Sequence, residues 1–159
     1  MNGVRFRRAD ADDAAVLAAM EIECFSDPWS ERSFASVLEN PATLFIIAEC
    51  EHDGSAVPVG YIGATVVADE CDIINLAVMQ DYRRQGIGFA LAEKMIDICR
   101  KTSVCAVYLE HRQSNEAAAA LYASLGFRND GIRRRYYTSP VEDAVLMSLK
   151  LNTSEESQL

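Results

Sequence analysis

The sequence predicts an α/β domain in which a mixed, mainly antiparallel sheet is flanked by helices. Strand-like runs follow one another in the first half of the chain, whereas strand and helix patterns alternate in the second. A chain of 159 residues, half of them hydrophobic, is long enough to build one core. Alternation confined to the second half excludes a purely parallel, doubly wound sheet. The domain is expected over residues 1–151, followed by a polar tail, 152–159, with almost nothing to bury.

Residues 4–7 form a short strand, and Asp12 or Asp13 then supplies the carboxylate that a helix N-terminus favours. Val16, Leu17, Met20 and Cys24 follow at helical spacing. A second helix is predicted from Ser30, its N-cap, to about Glu39. Glu31 suits the first turn, Trp29 can close on Phe34 as a hydrophobic staple, and Asn40-Pro41 ends the run. Residues 43–50 and 57–67 are β-rich on either side of Asp53-Gly54-Ser55, the pattern of an antiparallel hairpin, and 71–78 continues as a strand. A polar, glycine-bearing stretch at 81–88 precedes Ile87, Leu91, Met95 and Ile98 or Cys99 at helical period, giving strand, glycine loop, helix. Residues 104–109 read as a strand and 115–125 as an alanine-rich helix stopped by Gly126; 127–136 and 144–151 are the final strands.

Composition narrows the function. Fifteen Lys and Arg against twenty-four Asp and Glu leave a net charge of −9, a field that repels phosphate polymers, so DNA is not an expected partner. The acidic balance serves solubility or attracts a basic peptide. Cys24, Cys50, Cys71, Cys99 and Cys105 are odd in number and form no C-x-x-C pair, so they read as reduced core residues. No His and Cys cluster has zinc spacing, and no metal is expected. Arg5, Arg7 and Arg8 near the start have no apolar stretch behind them, and no window reaches the roughly 18 apolar residues of a membrane span. A cytoplasmic protein without a membrane partner is expected.

The most informative segment is Arg83, Arg84, Gln85, Gly86, Ile87, Gly88. Glycines let backbone N–H groups close on an anion while the following helix points its positive end there, which suits a pyrophosphate. Leu91 stands where a dinucleotide fingerprint needs its third glycine, and no Lys-Ser/Thr pair makes an ATP-binding loop. The same residues also fit a tight strand-to-helix turn with solvated arginines.

Arg83-x-x-Gly86-x-Gly88 is preceded by Ile74-Asn75-Leu76-Ala77-Val78. It is followed by Leu109-Glu110-x-Arg112-x-Ser114-Asn115 and by Ala120-Leu121-Tyr122-x-x-Leu125-Gly126-Phe127. In this order the segments closely resemble the GNAT acetyltransferase family, over residues 4–151. Asp27-Pro28-Trp29-Ser30, the Leu-Glu-x-Arg-x-Ser-Asn segment, and residues 131–137 with Glu142-Asp143-Ala144 are similar to its RimI group, the ribosomal-protein alanine N-acetyltransferases.

The resemblance implies a GNAT-like sheet with a V-shaped split between two central strands, where acetyl-CoA lies as co-substrate. It places the backbone of Leu76, Ala77 and Val78 against the acetyl and pantetheine part, and Arg83, Arg84, Gln85, Gly86, Ile87, Gly88 and Phe89 around the pyrophosphate. Asn115 would bond the pantetheine arm, a role compatible with capping a helix. Glu110 would be the general base that takes a proton from the attacking ammonium, which chemistry requires because an N-terminal amine has a pKa of about 7.7–8. Tyr122 would line the same cofactor arm and protonate the departing thiolate; seven positions after Asn115, it falls on the same helix face.

On the acceptor side, Trp29 either walls the site or only staples its helix, and Tyr136 either helps form the acceptor groove or belongs, with Arg133, Arg134, Arg135 and Tyr137, to a solvated hairpin edge. His111, beside the base, either tunes it or faces solvent. Gln80 replaces a proline common in the family, and Phe89 replaces a cation, which leaves Arg83, Arg84 and Lys94 to face CoA phosphates. The implied activity is acetyl transfer to the α-amine of a protein N-terminus, foremost the alanine of a small-subunit ribosomal protein. A small amine or other protein N-termini as acceptor, and a non-catalytic CoA-binding regulatory module, are the alternatives.

Overall fold

The computed structural model describes residues 3–151; the predicted polar tail lies outside the described residues. The elements run β1 (Val4–Arg8), α1 (Ala14–Cys24), α2 (Glu31–Glu39), β2 (Thr43–His52), β3 (Ser55–Val67), β4 (Glu70–Val78), α3 (Ile87–Arg100), β5 (Ala106–Arg112), α4 (Glu116–Ser124), β6 (Arg128–Thr138) and β7 (Val141–Lys150). Every predicted helix and strand is present. The strands form one sheet in the order β1-β2-β3-β4-β5-β7-β6. The β1/β2, β2/β3, β5/β7 and β6/β7 pairs are antiparallel, and β4/β5 is parallel. No helix among the described residues is long and apolar enough to cross a membrane.

The parallel ladder is short. Glu70 pairs with Ala106, Cys71 with Val107 and Asp72 with Tyr108, while β4 runs on to Val78 and β5 to Arg112. Parallel neighbours need a crossover, and α3 supplies it.

The carboxylate expected at the first helical N-terminus is that of Asp13, which serves a 3-10 turn leading into α1 rather than α1 itself. A 3-10 turn, Ala11–Asp13, comes first, and Asp10 caps it by accepting from the Asp12 N–H at 2.9 Å. The Asp13 carboxylate completes the cap by accepting from Asp10 N at 2.8 Å, and it also accepts from both terminal nitrogens of Arg7, at 2.8 and 2.7 Å. The forked pair is charge-assisted, and the Arg7 guanidinium holds the Asp13 carboxyl below its ordinary range. Elsewhere the local rules hold. Ser30 Oγ accepts from Ser33 N at 3.1 Å, the Trp29 and Phe34 rings lie 5.4 Å apart, and Asp53 (φ 50°) and Gly54 (φ 80°) supply the two left-handed residues of a tight hairpin turn.

The chain divides into two compact units. One runs to Thr65 and resumes over Ile74–Met95; the other comprises Val66–Ile73 and the chain from Ile96 on. In the first, Leu17 and Met20 of α1, Phe34 of α2, Phe45 and Ile47 of β2 and Tyr61 of β3 form a buried cluster. Phe34 stands edge-on to Phe45 and Tyr61 at 6.0 Å each, and Phe45 stacks on Tyr61 at 6.2 Å. Gly63 makes room for this stack, since a Cβ there would sit 2.3 Å from Phe45 Cε1. In the second unit, β5 buries Val107 and Leu109, α4 buries Tyr122, and β7 buries Ala144 and Met147.

Gly63→Ala is expected to lower stability by about 1–3 kcal/mol through overpacking. The check is a urea unfolding midpoint, and most of the loss should vanish in a Phe45→Leu background, where the clashing ring is gone.

Candidate functional site

In the first unit, β4 ends at Leu76, Ala77 and Val78. Ala77 is buried, and Gly60 of β3 lies against its carbonyl so closely that a Cβ there would be 2.8 Å from the oxygen. Met79 N bonds Val59 O at 2.8 Å, which fixes the strand end. The Val78 carbonyl accepts from Arg83 Nε at 2.8 Å and from the Cys24 thiol at 3.6 Å. Where Gln80 replaces the family's proline, residues Gln80–Tyr82 form a 3-10 turn, closed by Tyr82 N to Met79 O at 2.9 Å and Arg83 N to Gln80 O at 3.3 Å.

The glycine loop follows. Arg84 (φ 62°) and Gly86 (φ 82°) are left-handed, and Gly86 O accepts from Ala90 N at 3.0 Å as α3 begins. The N–H groups of Ile87, Gly88 and Phe89 therefore open the helix without partners inside it, at the positive end of its dipole. Nothing lies within 4 Å of a Cβ built at Gly86, so the turn has open space beside it. This backbone fits an anion. Of the cations expected to face phosphates, Arg83 engages the Val78 carbonyl through Nε and Lys94 lies 4.8 Å over the Phe6 ring, whereas Arg84 is exposed in the loop itself.

Trp29 belongs to the same unit. Its half-buried ring rests on Phe34, and its backbone N–H points at Glu21 Oε1, 3.4 Å away. Glu21 was not singled out by sequence reasoning. It accepts from Tyr61 OH, and Asn75 Nδ2 lies 3.1 Å from each of its oxygens. A signal existed, because Glu21 falls on the apolar stripe of Leu17, Met20 and Cys24, where a charge is out of place.

In the second unit, Glu110 lies on β5. The register sets Asp72 opposite Tyr108, so Asp72, Tyr108 and Glu110 share one face of the sheet. Glu110 is open to solvent on one side, yet desolvation by the surrounding protein pushes its carboxyl above the ordinary range. The Asp72 charge adds to the rise and Arg133 opposes it. His111 points to the other face and is buried, so it does not face solvent. Its Nδ1 lies 2.8 Å from Arg112 O, and its Nε2 has no partner among the described residues.

The loop after β5 is clamped from the β6–β7 hairpin. Arg112 donates to Ser139 O at 3.0 Å, Pro140 O at 2.9 Å and Glu142 Oε1 at 3.2 Å, and Glu142 Oε2 accepts from Ser114 N at 2.6 Å. Hydrogen bonding by Ser114, first from its side chain and then from this backbone N–H, holds the Glu142 carboxyl below its usual range. Asn115 caps α4, its Oδ1 accepting from Ala118 N at 3.0 Å, and its amide nitrogen is a separate donor. Tyr122 is 4% exposed, with its ring 5.3 Å from Phe127. Desolvation raises its pKa, so the phenol keeps its proton across the neutral range.

Between Arg133 and Tyr137 the β6–β7 register shifts by two residues, with Arg135 left-handed (φ 53°). This bulge explains why Tyr136 is exposed, under the Arg133 guanidinium at 5.3 Å. Tyr137 is held between Tyr136 at 5.0 Å and the Arg112 guanidinium at 4.4 Å, and burial pushes its pKa up to about 12. Among the described residues, no group of three or more His, Cys, Asp or Glu is arranged to hold a metal ion.

The family model described as "Acetyltransferase (GNAT) family" matches residues 15–127. A [ribosomal protein bS18]-alanine N-acetyltransferase of Escherichia coli (strain K12) is 42% identical over 127 residues, covering 79% of this chain and 82% of the relative. The crystal structure of the ribosomal-protein-S18-alanine N-acetyltransferase from Escherichia coli superposes with a TM-score of 0.84 at 37% identity, over 95% of this chain and 96% of that one. A chain of the NatC complex bound to Gag peptide and CoA gives a TM-score of 0.84 at 26% identity, over 94% and 99% of the two chains.

The charges around Glu110 make a test independent of any activity. By carboxyl NMR titration, Asp72→Asn should lower the Glu110 midpoint and Arg133→Gln should raise it. Opposite signs would show that the two charges do not act on this carboxyl.

Proposed function

The chain belongs to the GNAT acetyltransferase family, and on that premise we propose that it transfers the acetyl group of acetyl-CoA to the α-amine of a protein N-terminus, with the alanine of a bS18-type ribosomal protein as acceptor. The observation that carries this reading is the 42% identity to the bS18-alanine N-acetyltransferase of Escherichia coli, sustained over 82% of that enzyme. The structural likeness to a chain solved with a peptide and CoA supports the same substrate pair. The five cysteines are free, which fits a reducing, cytoplasmic setting.

In this reading the N–H groups that open α3, with Arg84 beside them, hold the CoA pyrophosphate, and the backbone of Leu76, Ala77 and Val78 takes the acetyl and pantetheine part. Asn115 donates to the pantetheine arm with the amide nitrogen that capping leaves over. Trp29 and Tyr136 wall the acceptor. Glu110, ionised, removes a proton from the α-ammonium, and its raised pKa brings it closer to that of the amine it serves. The neutral nitrogen attacks the thioester carbonyl carbon, the C–S bond breaks with its electron pair going to sulfur, the Tyr122 hydroxyl gives the thiolate a proton, and the second proton shed by the nitrogen as the amide forms restores the phenol. A buried phenol with a raised pKa is protonated at every pH where the amine reacts, as a donor must be.

Thiol release from acetyl-CoA, measured with short peptides that differ in their first residue and confirmed by intact mass, tests the assignment. An alanine-starting ribosomal peptide should be acetylated at its α-amine in preference to the others. Turnover on small amines alone, or acetyl-CoA binding without turnover, would replace this reading. Glu110→Gln should lower kcat about 10²- to 10⁴-fold while acetyl-CoA still binds, and Tyr122→Phe should lower kcat with little change in acceptor KM. Because the base works only when ionised, kcat/KM should fall as pH drops through the raised pKa of Glu110. Asp72→Asn should shift that acid limb to lower pH.

A further inference from the structure

The first unit holds a buried carboxylate with no part in the chemistry above. Glu21 is 1% exposed, and its partners are neutral donors from three separate elements: Tyr61 OH of β3, Asn75 Nδ2 of β4 and Trp29 N of the loop between α1 and α2. An ionised carboxylate accepts at both oxygens and donates nothing, so it suits three converging donors as no other side chain of that size does. Burying such a group costs several kcal/mol unless its hydrogen bonds are made, and a leucine there would continue the α1 stripe without that cost.

Two physical routes lead from Glu21 to Trp29. One is the 3.4 Å approach of the Trp29 N–H. The other runs through packing: Glu21 fixes the Tyr61 hydroxyl, the Tyr61 ring meets the edge of Phe34 at 6.0 Å, and Phe34 meets Trp29 at 5.4 Å. A third link leads to the strand end, because Asn75 immediately precedes Leu76, Ala77 and Val78. Cys24, three residues after Glu21, bonds the Val78 carbonyl.

We propose that Glu21 is a positioning residue, which sets the conformation of the Trp29 loop against β4 and thereby the affinity for the acceptor peptide. This rests on the acceptor-wall role proposed for Trp29. Glu21 does not touch the reacting atoms. Replacing it by glutamine puts an N–H where Asn75 Nδ2 or Tyr61 OH already donates, so at least one of the converging bonds is lost with little change of volume.

Trp29 is the single tryptophan of the chain, and its fluorescence reports on the loop whatever the protein acetylates. In Glu21→Gln we expect red-shifted emission and about two-fold stronger acrylamide quenching. Acceptor KM should rise about ten-fold while kcat changes less than about three-fold, the pattern of lost binding rather than lost chemistry, and acetyl-CoA affinity should stay constant. Tyr61→Phe, which removes one donor and keeps the ring packing, should move emission and KM in the same direction by less, and it decides the matter if Glu21→Gln does not fold. In a Trp29→Ala background the Glu21 substitution should raise KM no further. Unchanged quenching and KM, or a fall in kcat at constant KM, would overturn the proposal. Failure of the parent to acetylate any N-terminal peptide would sink the functional reading instead, while the fluorescence arms still decide whether Glu21 holds the loop.

Discussion

The central constraint is the buried end of β4, whose backbone groups need partners. On the β3 side the solution is close packing: Gly60 lets the Ala77 carbonyl approach, and Met79 N takes the Val59 carbonyl. At the tip, Val78 O is met by a guanidinium and a thiol from two different elements. The glycine turn follows within a few residues, where a strand end, a left-handed Arg84 and Gly86, and a fresh helix N-terminus come in immediate succession.

Desolvation does much of the electrostatic work in both units. It raises Glu21, Glu110 and Tyr122 alike, but the consequences differ with exposure and partners. Glu110 keeps one side open to water, so its higher pKa is a usable proton affinity. Tyr122 is closed in, so its higher pKa secures a proton on the phenol. Glu21 is closed in among donors, so the bonds it accepts, and not the proton it could take, define its role. The same residue type thus does different work according to what surrounds it.

Periodicity and capping chemistry made the elements legible. The Ser30 cap, the Trp29–Phe34 staple and the Asp-Gly turn are local arrangements, decided within a few residues, and each is present as expected. Asp13 serves the helical N-terminus as expected, but its second partner, Arg7, lies on the preceding strand, and a bidentate ion pair is invisible to a rule about neighbours. Physical reasoning singled out the glycine loop as a candidate unaided, whereas Glu110 and Tyr122 stood out only through the family resemblance, since a strand-end glutamate and a helical tyrosine are ordinary features. Strict alternation along β5 would have buried His111 with Val107 and Leu109, but a histidine's polarity argued for solvent. The β6 bulge left no mark, because its left-handed residue is an arginine and not a glycine.

That bulge has an electrical consequence. The chain carries a net charge of −9, yet three consecutive arginines, 133–135, are gathered where β6 breaks register. Arg133, Arg134 and Arg135 are all exposed there, so a group close to this strand meets three positive charges although the chain as a whole is acidic. Salt screens such a close contact less than it screens the field of the whole molecule at a distance.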